Sequence, residues 1–161
     1  MELEIKHDCD TVDWLAAREI LKCVGMAHHE LDLHKRAFEA SHTVVFVYHD
    51  DRLIGFGRAI CDGAYQAAVY DCAVSPEFQG KSVGRRIMEA IEAKISHCNV
   101  MLYASPGKEG FHETLGFRKI KTGMPHDSNS RFSLLAAPQL IRLTDESRSG
   151  CGRNTIRGAP V

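Results

Sequence analysis

The stretch EFQGKSVGRRI (77–87) gathers Gly80, Lys81, Ser82, Gly84, Arg85 and Arg86 into one loop and helix opening. These residue types, in this order, suit a phosphate group. Glycine lets backbone N–H groups approach phosphate oxygens with no Cβ in the way. A helix starting here adds unpaired N–H groups and the positive end of its dipole. Lys81, Arg85 and Arg86 add charge, and arginine meets phosphate bidentately. Taken one at a time, each cation reads equally well as a solvated residue at a helix start.

Two kinds of protein carry such a loop. A nucleotide-triphosphate P-loop, G-x-x-x-x-G-K-S/T, needs glycine at position 75, where Ser75 stands before Pro76. It also needs a parallel strand before it and a magnesium-binding acid at the end of another strand. The run NVMLYAS (99–105) ends without that acid. The elements around the loop therefore decide its owner.

Residues 2–6 alternate as a short strand. Asp10 is a helix N-cap, with Asp13 as a first-turn acid, for a helix over 11–26 whose stripe is Trp14, Leu15, Ala17 or Arg18, and Leu21. A more polar helix covers 29–40, with Gly25 in the connection. Then the period changes. TVVFVYHD (43–50), LIGFGRAIC (53–61) and YQAAVYDCAV (65–74) are strands joined by turns too short for helices, so they form an antiparallel meander. Val83, Ile87, Ile91 and Ile95 recur every four residues on a helix over 82–98. NVMLYA (99–104) follows as a buried strand, and the strand–helix–strand crossover makes it parallel to 65–74. A short helix (107–116) and a strand FRKIKTGM (117–124) complete the pattern. RFSLLA is a further strand candidate, and no internal repeat is visible. We expect one domain over 1–143 and a flexible tail over 144–161.

In this setting, VSPEFQGKSVGRRIMEAI resembles the pyrophosphate-binding motif of the GCN5-related N-acetyltransferase family, Q/R-x-x-G-x-G/A between a strand and a helix. Gln79 and Gly84 match, and Ser82 stands where the first glycine is usual. YASPGKEGFHETLGF resembles the family's later segment, in order and spacing, and the likeness covers about residues 2–124. It implies an α/β (α+β) fold with a mixed, mostly antiparallel sheet flanked by helices. It also implies acetyl-CoA as co-substrate, held at the pyrophosphate by Gln79, Gly80, Lys81, Ser82, Val83, Gly84 and Arg85. Cys72, Ala73 and Val74 would bind the pantetheine arm through their backbone, with Ser105 and Lys108 near it. The Cys72 side chain reads as packing, because direct transfer needs no acyl-enzyme.

The family often places a tyrosine, as proton donor to the thiolate, where His112 stands here. A histidine can act there as acid or base near neutral pH, or be only a surface residue. Tyr103 and Tyr70 are further donors. Asp71 is a candidate base or ammonium partner, although strand alternation points it away from Tyr70 and Cys72. Glu30 and Asp32 are candidates to meet a cationic acceptor, and also read as solvated helix acids. A second class of function stays open: a catalytically silent acyl-CoA-binding or interaction module on the same fold.

Composition bounds the rest. In 161 residues, 44% hydrophobic and 25% charged, the formal net charge is −1, without the basic excess of nucleic-acid or anionic-membrane binders. No apolar run reaches a membrane span, and the N-terminus does not read as a secretion signal. Six cysteines (9, 23, 61, 72, 98, 151) without a C-x-x-C pair read as free thiols of a cytoplasmic protein. HHELDLH misses H-E-x-x-H spacing, so no metal is expected. The expected partners are a small-molecule or protein amine, with a homodimer as a family-level expectation and neither nucleic acid nor membrane.

Overall fold

The computed structural model describes residues 1–121. RFSLLA, the end of the expected domain and the tail over 144–161 lie outside the described residues. The elements are β1 (Glu4–Lys6), α1 (Trp14–Cys23), α2 (Leu31–Glu39), β2 (Thr43–His49), β3 (Arg52–Cys61), β4 (Gln66–Val74), α3 (Val83–Lys94), β5 (Asn99–Leu102) and α4 (Glu109–Glu113). The strands form one sheet in the order β1-β2-β3-β4-β5, antiparallel except for the β4–β5 pair. The expected mixed sheet and its crossover are present.

Helices cover both faces. On one, Val83, Ile87, Met88, Ile91 and Ile95 pack on Val45, Val47, Ile54 and Val69. On the other, Ala17, Ile20, Leu21 and Phe38 meet Val44, Phe46, Tyr48, Phe56 and Ala73. A strand covered on both sides has no solvent face, which is why TVVFVY carries no polar alternation. Each fully buried large side chain contributes about 1.5–3 kcal/mol of transfer free energy before entropy is counted. Gly55 and Gly57 let α3 settle closely on β3. A Cβ at Gly57 would lie 2.9 Å from Ile87 Cγ2 and 3.0 Å from Ile91 Cδ1.

Several expectations are corrected. Helix α1 is capped by Asp13, not Asp10: one Asp13 oxygen accepts from the N–H groups of Leu15 and Ala16, both at 3.0 Å. The later start puts Ile20 in the stripe and leaves Leu15 52% exposed. Strand β5 is not buried, since Asn99 and Met101 are exposed and Val100 and Leu102 only half-buried. Residues 117–121, the described part of the expected strand after α4, form no strand. No helix among the described residues is long and apolar enough to cross a membrane.

Candidate active site

The loop after β4 is shaped by its own sequence. Pro76–Phe78 make a single 3-10 turn, and Gln79 Nε2 donates to the Val74 carbonyl at 3.0 Å, tying the loop to the strand it leaves. Ser75 is buried, and its N–H donates to Ile54 O at 2.8 Å, fixing the end of β4 to β3. Gly80 has φ +74 with nothing within 4 Å of where a Cβ would stand, so the loop is open above it. Ser82, at the N-cap of α3, has φ +64, and its side chain makes no capping hydrogen bond. The left-handed region penalises any Cβ-bearing residue, which is the physical reason for glycine at this place in the motif.

Helix α3 then opens with its first N–H groups aimed into that loop. The first intrahelical bond to Ser82 O comes from Arg86 N–H, leaving those of Val83, Gly84 and Arg85 without an intrahelical acceptor. Lys81 Nζ lies 5.0 Å from the centre of the Phe78 ring, and Arg85 makes only a 3.9 Å exposed contact with Glu89. Both cations are thus held loosely beside the loop. Gly84 serves packing as well, since a Cβ there would touch the Phe111 ring of α4 at 3.4 Å. This contact seats α4 on the start of α3.

Two features of β4 set the opening next to the loop. Its parallel pairing with β5 runs from Gln66↔Asn99 to Val69↔Leu102 and then stops, while β4 continues through Val74. Beyond that pair β4 runs on without a β5 partner along Tyr70–Val74, a segment that includes Cys72–Val74, the residues expected to meet the pantetheine arm. On the β3 side a bulge interrupts the ladder: Arg58 faces Tyr70 and Phe56 faces Ala73, so Gly57 stands opposite both Asp71 and Cys72. Asp71 carries the strain, with φ +50. The bulge overturns the expected alternation. Arg58 Nε donates to Asp71 at 2.5 Å while its guanidinium lies 5.3 Å from the Tyr70 ring centre, so Tyr70 and Asp71 flank the same cation.

Arg58 and His34 are the residues that sequence reasoning missed. Arg58 is the one charged residue inside LIGFGRAIC, a signal legible in advance. It also sits 5.6 Å from the Phe38 ring centre and donates to Ser41 Oγ at 3.2 Å. His34 is buried, accepts the His29 N–H at 2.8 Å, and has its pKa lowered by burial, only partly opposed by Asp71. Glu30 and Asp32 remain exposed, with Glu30 4.0 Å from Arg18.

The other candidate residues fall around the opening. Burial, and then the charge of Asp71, pushes the Cys72 thiol up to about 12, leaving it without nucleophilic thiolate at neutral pH. Tyr103, just past β5, is 64% exposed. Ser105 O accepts the Lys108 N–H at 2.9 Å, closing the turn before α4, and Lys108 itself is exposed. His112 lies between the Phe111 and Phe117 rings, at centroid distances of 5.1 and 6.0 Å. Its Nδ1 is buried and has no hydrogen-bond partner among the described residues, and burial lowers its pKa. A groove of about 520 Å³ opens elsewhere, between His7, Phe38, His42 and Lys94, and shares no residue with the loop.

Comparison with known proteins meets this geometry. A family model for the acetyltransferase (GNAT) domain matches residues 17–128. The chain is 32% identical over 122 residues to serotonin N-acetyltransferase 2, chloroplastic, of Oryza sativa, covering 70% of this chain and 60% of that protein. It is 30% identical over 114 residues to an uncharacterized N-acetyltransferase of Prochlorococcus marinus, covering 66% and 63%. The chain thus spans about three-fifths of the length of these curated relatives. Among solved structures, a probable acetyltransferase from Staphylococcus aureus superposes with TM-score 0.70 at 25% identity, over 78% of this chain and 99% of that one. One from Xanthomonas campestris does so with TM-score 0.71 at 23% identity, over 83% and 98%, a likeness of fold. The short β4–β5 pairing, the glycine loop on a helix start and the family match agree: this chain belongs to the GNAT acetyltransferase family.

Proposed function

We propose that the protein is an acetyl-CoA-dependent N-acetyltransferase, moving an acetyl group directly to a primary amine of a small molecule or protein. The observation that carries this reading is the end of the β4–β5 pairing at Val69↔Leu102, with β4 running on to a loop whose helix start leaves three N–H groups without an acceptor among the described residues. Bound acetyl-CoA supplies an activated acetyl thioester. The N–H groups of Val83, Gly84 and Arg85, with Lys81, Arg85 and Arg86, bind its pyrophosphate. The backbone of Cys72–Val74 holds the arm in the gap. Attack needs a neutral amine. A histidine kept neutral at pH 7 by burial suits proton removal better than donation, so His112 is the base in this reading. Tyr103 and Tyr70 are the proton donors to the departing thiolate. Asp71, held by Arg58, is a positioning residue on the acceptor side. The free thiols suit a reducing, cytoplasmic compartment, which cell fractionation checks.

The test is thiol release from acetyl-CoA across arylalkylamines, polyamines, amino sugars and lysine peptides. The rice relative's name puts arylalkylamines first. Wild type and His112→Phe run side by side from pH 5.5 to 8.5. We expect turnover that falls at least ~100-fold in the variant, the usual contribution of a general base. Equal turnover in both would remove His112 from the mechanism and leave the enzyme standing. Tight acetyl-CoA binding without any turnover would replace the enzyme by a silent binding module.

A further inference from the structure

At the other end of β4 from the loop, three donors converge from two chain segments far apart in sequence. Cys61 ends β3, while His97 and Cys98 stand in the turn between α3 and β5. Their ligand atoms all lie within 4.8 Å of one another, and the two sulfurs are 3.3 Å apart as free thiols. A tetrahedral Zn²⁺ with Zn–S of about 2.3 Å and Zn–N of about 2.0–2.1 Å sets its ligand atoms roughly 3.5–3.8 Å apart. The cluster brackets that spacing, and opening the sulfurs by about half an ångström reaches it.

The surroundings suit a bound cation. The Gly63 N–H points at Cys61 Sγ from 3.2 Å, the kind of backbone bond that steadies a ligating thiolate. The turn carrying it is rigid, since Asp62 Oδ1 accepts from Ala64, Tyr65 and Gln66. On the other segment, Cys98 N–H donates to Ile95 O at 2.9 Å and Asn99 N–H to Tyr65 O at 2.7 Å. Both sides are held before any ion arrives. His97 is exposed and free to swing onto the metal, while the sulfurs are half-buried.

We propose that Cys61, Cys98 and His97 form a zinc site that clamps the α3–β5 turn to the end of β3, with water in the fourth position. Two thiolates and an imidazole are a donor set for a borderline-soft d¹⁰ ion. Binding displaces the two thiol protons, so affinity rises with pH. The site lies about eight strand residues from Val74, roughly 26 Å along β4 at ~3.3 Å each, so its role is structural and the acetyl-transfer machinery is not part of it.

The test titrates Co²⁺, then Zn²⁺, into the whole 161-residue chain, reduced and free of metal and oxygen. One equivalent of Co²⁺ should give tetrahedral d–d bands and sulfur-to-cobalt charge transfer of two Co–S bonds, both erased by Zn²⁺. Zinc should also raise Tm by several degrees. Cys61→Ser and Cys98→Ser should weaken binding by about 100-fold or more, His97→Gln less, and the exposed Cys23→Ser not at all. Circular dichroism checks that the variants fold, and the wild-type spectrum counts the Co–S bonds independently of them. Absence of these bands in the reduced wild type, or their survival in the folded Cys61→Ser and Cys98→Ser variants, overturns the proposal. So does a Cys61–Cys98 disulfide whose reduction yields a chain that takes no cobalt.

Discussion

Ser82 and Asp71 both sit at positive φ beside the opening, and both are non-glycine residues. A left-handed L-residue costs roughly 1–2 kcal/mol, and glycine's extra unfolded-state entropy offsets about 0.4–1 of it. Ser82→Gly should therefore stabilise the fold by about 0.5–1 kcal/mol and bind acetyl-CoA at least as tightly. Calorimetry and equilibrium binding read the two effects, and a drop in affinity would show that the serine hydroxyl itself touches phosphate. Asp71 is different, because its strain is tied to an ion pair. The side chains of Arg58 and Asp71 are 15% and 24% exposed, enough for solvent to screen them partly. Asp71→Asn should cost about 1–3 kcal/mol in denaturant titration, less than the loss of one partner from a fully buried pair. It should also raise KM for the amine more than it lowers kcat, as a positioning residue would.

At the scale of elements, the packing of α3 on β3 fixes where the loop points. Gly57 faces Ile87 and Ile91 with no room for a methyl group, and it stands opposite the bulge at Asp71–Cys72. Gly57→Ala should cost about 1–3 kcal/mol by overpacking, seen as a lower denaturation midpoint with an unchanged slope. Acetyl-CoA affinity should fall with it if α3 shifts. The α3 stripe was legible because four isoleucine and valine positions at helical spacing have one physical explanation. The start of α1 was not. Asp10 and Asp13 are both good caps, and the choice fell to which one met free N–H groups once Cys9 and Val12 had packed on the core. Strand β5 was read as buried from its apolar letters, yet alternation along a half-covered strand exposes Met101.

For the whole molecule, two shielded histidines contribute to the acid limb of stability. His34 and His112 both have pKa values lowered from 6.5, in each case first by burial. Between the lowered folded value and 6.5 the unfolded chain binds more protons than the native one, so stability rises with pH through that window. Well above pH 6.5 both are neutral in either state and contribute no slope. Thermal midpoints should therefore lose stability on acidification below about pH 6.5, from these groups as well as from the carboxylates. His34→Gln should flatten part of that fall, and a profile unchanged in shape would assign the acid limb elsewhere.

The meander, the crossover helix and the glycine-bearing loop were legible in the letters alone, because each rests on local rules: period, turn length and glycine placement. The local geometry of Gln79, Gly80 and Gly84 likewise depends on backbone conformation within a few residues. The rest came from contacts between segments distant in the chain. The β4 bulge broke the alternation that assigned Asp71 its side, since an inserted residue in a ladder is set by the partner strand and not by the strand's own letters. Burial between Phe111 and Phe117 turned His112 toward the neutral form, an effect of a ring met across a turn. The meeting of Cys61 with His97 and Cys98 left no trace in the sequence. Donors thirty-six residues apart acquire a common site only when strand register and a helix crossover bring their ends together.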